Sequence, residues 1–359
     1  MMSSPAGWPC YSTVWYESAE MITLSDLHSA QSRLHGIAVR TRLVEFDYGC
    51  PVSRAPLARE VRTFEPARRL FLKPENQQPI GAFKLRGAYN KIASLSDDDR
   101  KKGVITYSSG NHGQGVAYAA RALGVKAVIV MPDNAPLIKR EATAKLGAEI
   151  VIVGPGSDER KLKAEELAAQ HGYVIVPPYN DEKIIAGQGT IGLEILEDLA
   201  NEGLPEVDAT VFSPVGGGGL ISGVAAAIKL SNPKIKVIGV EPELAADAQA
   251  SFRSGKIAQF DASQVSQTIA DGLRTQSIGP INFEHIRAFV DDIVTVSEDE
   301  IRAATRLLAA NPATISEPSG AVATAGFLFR RDQLPATKLN VAIISGGNIE
   351  PEMLAGLRG

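Results

Sequence analysis

Short apolar runs alternate with segments of helical periodicity along most of the chain. The runs are rich in Val and Ile, which predicts β-strands. Between them, apolar residues recur at the spacing of one helix face. The predicted strands lie at 103–107, 126–131, 149–153, 173–177, 209–214, 236–240, 293–296 and 340–345, and the predicted helices lie at 24–35, 113–123, 136–147, 158–171, 187–201, 219–231, 298–310 and 319–331.

Strand alternating with helix favours parallel sheets of the α/β class. Several predicted strands are almost continuously apolar, as strands covered on both faces are. The length of 359 residues corresponds to about two domains, and we expect the chain to cross between them near 178–185. Residues 1–20 stand apart, with two tryptophans, Cys10 and no basic residue. They form either a loosely ordered extension or a tail that docks on the body or on a partner chain.

Composition excludes several classes of protein. A formal net charge of −4 offers no basic face for nucleic acid. No apolar run approaches the length of a membrane span, and the first basic residue is Arg33, which excludes a secretory signal with a basic start. Cys10 and Cys50 are the two cysteines, which fits a reduced compartment. We therefore expect a cytoplasmic protein that binds neither membrane nor nucleic acid.

Lys84 opens a helical pattern directly after a polar loop, in the segment GAFKLRGAYN (81–90). A lysine in such a position is usually a solvated surface charge. Gly81 and Gly87 flank it, however, and glycines let a backbone or a cofactor approach closely. A partly buried lysine with a lowered pKa can form a Schiff base. Lys84 is therefore a candidate for covalent chemistry.

Two further loops place polar groups at the end of a predicted strand. SSGNHGQG (108–115) leads into a helix and offers backbone N–H groups that suit a carboxylate or a phosphate, although it also fits an ordinary turn. It holds His112, while the other histidines are scattered, so we expect no histidine-based metal site. SGGN (345–348) would point the Ser345 hydroxyl into the crevice where α/β proteins bind ligands, although it also makes a plain turn.

The segment SPVGGGGL (213–220) places four consecutive glycines between a strand and a helix. Each glycine costs conformational entropy on folding, and the physical use of such a run is a backbone cradle for phosphate at a helix N-terminus. No Gly-Lys-Ser/Thr follows, which excludes a Walker A loop, and Ser222 breaks the dinucleotide fingerprint. Nicotinamide binding stays open because Glu241 ends the next strand, where a ribose-binding acid would lie. Packing alone is the third interpretation.

In this order, the segments resemble the fold-type II pyridoxal phosphate enzymes, in particular the threonine/serine dehydratase and serine racemase group. The resemblance runs from about residue 22 to 350. It implies an α/β fold of two open, twisted, mostly parallel sheets with helices on both faces, like the tryptophan synthase β chain. The segments that carry it are GAFKLRGAYN, SSGNHGQ, AGQGTIGLEIL (186–196), PVGGGGL, GVEP, TIADGL (268–273), SEPSGA (316–321) and SGGN.

The resemblance also implies a division of the chain and a homodimer. After the extension 1–20, a large cofactor-binding domain would comprise 21–98 and 182–359. A small mobile domain would comprise 99–181 and would close over the substrate.

Roles for single residues follow from the same resemblance. Lys84 would form the Schiff base with the cofactor and then act as base on the substrate Cα–H. The backbone of Ser108, Ser109, Gly110, Asn111 and His112 would bind the substrate carboxylate. The cofactor contacts would be Phe83 beside the ring, Asn111 at the 3-hydroxyl, Gly216, Gly217, Gly218 and Gly219 at the phosphate, and Ser345 at the pyridine nitrogen.

A serine at the pyridine nitrogen has a chemical consequence. The ring is not held protonated and is a weaker electron sink, which favours rapid expulsion of a β-hydroxyl. We therefore expect an ammonia-lyase that converts L-serine or L-threonine to a 2-oxo acid and ammonia. A nicotinamide oxidoreductase and an inactive relative that serves as a binding module are the alternatives from other classes.

Two residues and one segment leave further properties of the protein open. Ser109 matches the second acid/base of serine racemases and so permits racemisation. Arg160 matches an arginine that serine racemases place within reach of a second substrate carboxylate, which would favour 3-hydroxyaspartate; a lone arginine on a helix is also commonly a surface residue. In GVEPELAAD (239–247), Glu241, Asp247 and the Ala245 carbonyl match a divalent cation site suited to Mg²⁺ or Ca²⁺; a solvated acidic turn is the other interpretation.

Overall fold

A computed structural model describes residues 21–48, 68–108, 110–135, 137–154, 156–201 and 208–358. The expectations about residues 1–20, Cys50 and Ser109 fall outside these ranges. The strands are β1 (Val44–Glu45), β2 (Arg69–Pro74), β3 (Val104–Tyr107), β4 (Ala127–Pro132), β5 (Glu149–Val153), β6 (Val174–Ile175), β7 (Ala209–Pro214), β8 (Lys236–Pro242), β9 (Asp292–Val296) and β10 (Leu339–Ile344).

Two separate sheets confirm the predicted α/β class. The larger sheet has the order β1-β2-β10-β7-β8-β9, and the smaller has the order β5-β4-β3-β6. Every pairing is parallel except that of β1 with β2. Parallel strands need long crossovers, and helices provide them here.

The helices include all eight that the apolar periodicity predicts, each beginning within five residues of its expected start, and others that the periodicity does not predict. They are α1 (Leu24–Leu34), α2 (Lys84–Ala93), α3 (Asp97–Lys102), α4 (Asn111–Ala122), α5 (Leu137–Lys145), α6 (Ser157–His171), α7 (Glu182–Asn201), α8 (Gly219–Ser231), α9 (Asp247–Ser254), α10 (Ala262–Val265), α11 (Pro280–Phe289), α12 (Glu298–Leu308), α13 (Pro318–Arg330) and α14 (Pro351–Arg358). No helix in the described ranges combines the length and apolarity needed to cross a bilayer.

Helices cover both faces of each sheet, which explains the continuously apolar strands. In the larger sheet, α7, α8 and α11 pack on one face and α12 and α13 on the other. In the smaller sheet, α4 and α2 share one apolar cluster with β3 and β4, while α6 packs on the opposite face. Strand residues therefore alternate between two cores rather than between core and solvent.

Strand β2 was missing from the sequence prediction because Arg69 and Lys73 interrupt its apolar pattern. The structure accommodates Lys73 inside the protein by giving it a charged partner. Its Nζ donates to Glu194 of α7 at 2.5 Å, and the side chain has no exposed surface. Only tertiary structure supplies such a partner, so a buried lysine is hidden from a hydropathy pattern.

Candidate active site

The predicted loops lie at the carboxyl ends of neighbouring strands. In the larger sheet, β7 leads into Gly216–Gly219 and the adjacent β10 leads into Ser345. In the smaller sheet, β3 leads into the loop before α4. Open α/β sheets bind ligands outside the carboxyl ends of their strands. Contacts between these loops, described next, form one site.

Lys84 is the first residue of α2 and is half-buried. Its Nζ donates to the carbonyl of Pro178 at 2.7 Å and lies 5.2 Å from the centroid of the Phe83 ring. Burial lowers the pKa of Lys84 to about 8. A substantial part of the amine is therefore neutral near physiological pH, and the neutral amine is the form that attacks a carbonyl carbon.

Backbone hydrogen bonds join the Lys84 loop to the Ser345 loop. Ala82 and Gly346 form an antiparallel bridge, and the N–H of Phe83 donates to the Ser345 carbonyl at 3.0 Å. Ser345 is buried, and in the described part of the chain its hydroxyl has no hydrogen-bond partner. The pairing holds Ser345 beside the start of α2 and leaves its hydroxyl for a ligand.

Asn111 begins α4 and connects the smaller sheet to the larger one. Its Nδ2 donates to Glu317 at 2.6 Å, and its Oδ1 accepts from Asn348 at 2.7 Å. Burial and the nearby Asp271 raise the pKa of Glu317 to about 7. The resemblance includes the segment 316–321, but Glu317 was not among the predicted site residues. An acid directly before the apolar helix α13 was the feature that could have identified it.

The loop after β3 borders Lys84. Gly115 in α4 is packed so closely on α2 that a Cβ there would lie 3.1 Å from the Lys84 carbonyl carbon. His112 is buried, with Nε2 hydrogen-bonded to the Val176 carbonyl at 3.0 Å. Burial and the neighbouring Lys84 lower the pKa of His112 to about 3, so the ring is neutral. Backbone N–H groups at the start of α4, rather than this side chain, remain for a carboxylate.

The glycine loop, Gly216–Gly219, is closely packed and also presents backbone N–H groups that could hold an anion. The N–H groups of Gly216, Gly217 and Gly218 donate to no residue in the described ranges, and α8 begins at Gly219. Such N–H groups at a helix start suit an anion. A Cβ on Gly217 would lie 2.3 Å from the Tyr179 ring, and one on Gly218 2.9 Å from Asn282 Cβ. Neighbouring side chains therefore require glycine as well.

Gly87 lies where two helices pack closely against each other. A Cβ there would lie 2.4 Å from the Gln188 side chain and 3.0 Å from the Ile184 carbonyl. Both residues belong to α7. Gly87 therefore lets the backbones of two helices approach closely, as expected of a glycine there, and its admission of a cofactor stays a prediction.

A buried ion network lies two residues from Lys84. Arg86 donates to both oxygens of Glu75 at 2.8 Å, and to the oxygens of Glu194 at 2.7 and 2.9 Å. The hydrogen bond from Lys73 to Glu194 completes the network. Two cations thus balance two carboxylates, as buried charges require. The network joins β2, α2 and α7 and so holds the helix that begins with Lys84.

No described contact joins Arg160 to the loops that hold Lys84, Asn111 and Ser345. It lies in the first turn of α6, across the smaller sheet from α4, and is half-buried. Its Nε donates to the Gly156 carbonyl at 3.3 Å. Burial lowers the pKa of its guanidinium, and within the described ranges it has no carboxylate partner.

The predicted cation ligands lie at the end of β8 and the start of α9. Glu241 accepts from the N–H groups of Ala248 at 3.0 Å and Gln249 at 2.7 Å. Both carboxylate oxygens of Asp247 are buried with no hydrogen-bond partner among the described residues. No third histidine, cysteine or acid in the described chain joins them as a metal cluster. Ala245 lies between them, in a short 3₁₀ turn.

Residues 52–346 match the model of a family described as pyridoxal-phosphate dependent enzymes. The L-threonine ammonia-lyase of Thermotoga maritima is 44% identical over 93% of this chain and 77% of its own length. The L-threo-3-hydroxyaspartate ammonia-lyase of Saccharomyces cerevisiae is 43% identical over 80% of this chain and 86% of its own length. Maize serine racemase superposes with a TM-score of 0.81 at 34% identity, covering 94% of this chain and 96% of that one.

Proposed function

Because the chain belongs to the pyridoxal-phosphate dependent enzyme family, we propose that it removes water and then ammonia from L-threonine or L-serine. The product is the corresponding 2-oxo acid. Similarity to an L-threonine ammonia-lyase over most of the chain supports this reaction. The observation that carries it is the half-buried Lys84 amine, with a pKa of about 8, joined through its loop to Ser345, whose hydroxyl has no partner among the described residues.

The residues present fit pyridoxal phosphate. The glycine-loop N–H groups, which have no acceptor in the described part of the chain, suit its phosphate, and the Ser345 hydroxyl suits its ring nitrogen. When bound, the cofactor withdraws electrons from the substrate Cα. Lys84 would hold the cofactor until the substrate amine displaces it, and the freed Lys84 amine would then take the proton from Cα, while the start of α4 would bind the substrate carboxylate. The β-hydroxyl leaves with a proton as water, and hydrolysis of the remaining C–N bond releases ammonia.

The first experiment measures 2-oxo acid release from L-threonine, L-serine, L-threo-3-hydroxyaspartate and their D-isomers. We expect turnover of L-threonine or L-serine, and none with Lys84→Ala. Chiral analysis of the remaining amino acid reports racemisation, in which Ser109 is the predicted second acid/base. Racemisation without oxo acid would contradict the lyase assignment.

A 3-hydroxyaspartate ammonia-lyase is the second candidate. The half-buried Arg160 without a described carboxylate partner favours it, because a dicarboxylate would supply that partner. Turnover of hydroxyaspartate alone, lost in Arg160→Met, would establish this activity. Unchanged hydroxyaspartate turnover in the same variant would leave Arg160 outside the site.

Three finer predictions complete the proposal. Residues 99–181 form a small mobile domain that closes on the domain made of 21–98 and 182–359. The contact between Lys139 Nζ and Asp271, at 3.4 Å, crosses from one to the other and supports closure. The homodimer and the cytoplasmic location rest on the sequence resemblance and composition.

We further propose that Glu241, Asp247 and the Ala245 carbonyl hold Mg²⁺ or Ca²⁺. The unpartnered, buried oxygens of Asp247 support this site, since a buried carboxylate needs a cation or donors. Oxygen ligands are those that both ions prefer. The role of such an ion is structural, because it would join β8 to α9.

A further inference from the structure

Asn282 holds a carbonyl group in the middle of the glycine loop. It lies in the first turn of α11 with its side chain fully buried. Its Nδ2 donates to the Gly217 carbonyl at 2.5 Å, and the N–H of Gly279 donates to the same oxygen at 3.1 Å. The start of α11 thus supplies two donors to one oxygen of the loop.

The chemistry of the pair determines which way the amide faces. A carbonyl oxygen can only accept, so the Asn282 atom that faces Gly217 must be the amino group. The other amide atom, Oδ1, is buried and has no hydrogen-bond partner in the described ranges. Burying that oxygen costs free energy. The hydrogen bond to Gly217 is the interaction that offsets this cost.

The direction of this carbonyl determines the direction of the next N–H. The Gly217 C=O and the Gly218 N–H belong to one peptide group, and in a trans peptide they point in opposite directions. The described chain contains no cis peptide. Holding the Gly217 oxygen towards α11 therefore turns the Gly218 N–H away from α11, and that N–H donates to no described residue.

We propose that Asn282 is a positioning residue that aims the Gly218 N–H at the cofactor phosphate. This inference rests on the proposed function, which places the phosphate in the glycine loop. Gly218 has a φ of +93° and a Cβ there would collide with Asn282, so the loop and α11 are matched in shape. Without the amide donor, only the Gly279 N–H holds the Gly217 carbonyl. The peptide group between Gly217 and Gly218 can then rotate, so that the Gly218 N–H turns away from the phosphate.

The test compares binding of pyridoxal phosphate and of pyridoxal to the cofactor-free protein. Both aldehydes form the same bond with Lys84, and only the first carries a phosphate. In Asn282→Leu, which keeps the bulk and removes the donor, we expect the Kd for pyridoxal phosphate to rise roughly tenfold. The Kd for pyridoxal should stay within about twofold, since no phosphate contact is lost. The ³¹P resonance of the bound cofactor should shift.

Ser222→Ala is the matched control. The Ser222 hydroxyl donates to the Asn282 backbone carbonyl at 3.3 Å, so this variant also removes a contact between α8 and α11. It leaves the Gly217 carbonyl untouched, and we expect an unchanged ratio of the two Kd values and an unchanged ³¹P resonance. If Asn282→Leu does not fold, Asn282→Ser replaces it, with the same direction of change expected.

Three outcomes would overturn the inference. Equal weakening of pyridoxal phosphate and pyridoxal, or no weakening of either, would show that Asn282 only packs. Equal affinity of the wild-type protein for the two aldehydes would mean that the glycine loop binds no phosphate, and the proposed function would fail there before any variant is considered.

Discussion

Lys84 shows how one residue acquires a chemical role that its sequence position alone does not reveal. A lysine at the start of a helix is ordinarily charged and solvated. Here the amine is half-buried, next to the Phe83 ring, and its hydrogen-bond partner is a neutral carbonyl rather than a carboxylate. Burial without a counter-charge disfavours the ammonium form. The lowered pKa is therefore a property of packing, not of the lysine itself.

The pKa of Lys84 predicts how cofactor uptake depends on pH. Only the neutral amine attacks the aldehyde, and burial places its pKa at about 8. The rate of colour formation after mixing cofactor-free protein with pyridoxal phosphate should rise roughly fifteenfold from pH 6.5 to 8, and only about twofold from pH 8 to 9.5. Stopped-flow absorbance measures this rate.

Lys91 is the control for that experiment. It also lies in α2, but it pairs with Asp181 at 2.6 Å. Lys91→Met should keep both the colour and the pH profile, whereas Lys84→Arg should give no colour. A rate that continues to rise tenfold per pH unit up to pH 10 would mean that Lys84 titrates as a solvated lysine.

At the scale of elements, chemistry collects where strands end and helices begin. β7 and β10 are neighbours in the larger sheet, so the glycine loop and Ser345 come to the same edge although 126 positions separate 219 from 345. The start of α4 supplies free N–H groups from the smaller sheet. Strand order decides this proximity, and strand order depends on long-range pairing that periodicity does not specify.

The junction of β8 with α9 carries the prediction for a divalent cation. If Glu241 and Asp247 bind an ion, chelation should lower the thermal midpoint by roughly 5 °C, and added Mg²⁺ or Ca²⁺ should restore it. Asp247→Asn should abolish the response to metal. Glu243→Gln, in the same turn but paired with Arg330 at 3.3 Å, should keep it. An identical melting curve with and without chelator would contradict the site.

At the scale of the molecule, polar contacts join the part of the chain that forms the smaller sheet to the part that forms the larger sheet. The Asn111 side chain, at the start of α4, is hydrogen-bonded to Glu317 and Asn348, which follow elements of the larger sheet. Lys139 of α5 forms an ion pair with Asp271. Polar contacts of this kind can break and re-form at little cost, unlike an apolar core. This is the physical basis for expecting closure around a substrate.

Removing Lys139 should therefore weaken substrate capture more than chemistry. A partly exposed ion pair contributes at most about 1 kcal/mol, so Lys139→Met should raise KM for the preferred substrate by about two- to fivefold with kcat nearly unchanged. The difference should shrink at high salt. Lys101→Met, which removes an exposed ion pair within α3, should change neither constant. An unchanged KM for Lys139→Met would refute the role in closure.

The sequence by itself determined the class of fold, most strands and helices, and the loops that carry the candidate site. These are readable because periodicity, glycine runs and polar residues at strand ends are local properties of the chain. The resemblance added the cofactor and the role expected of each residue. Strand β2 was not predicted, because the charge of its Lys73 is balanced by Glu194, which lies 121 positions away in the sequence.

Only the tertiary structure decided what each side chain meets. It placed Glu317 against Asn111 and Asn282 against Gly217. It also showed that Gly87 lies where two helices pack closely, and that no described contact joins Arg160 to Lys84. It also shifted the pKa values of Lys84, His112 and Glu317. These properties depend on burial and on partners distant in sequence, because desolvation and hydrogen bonding act through space rather than along the chain.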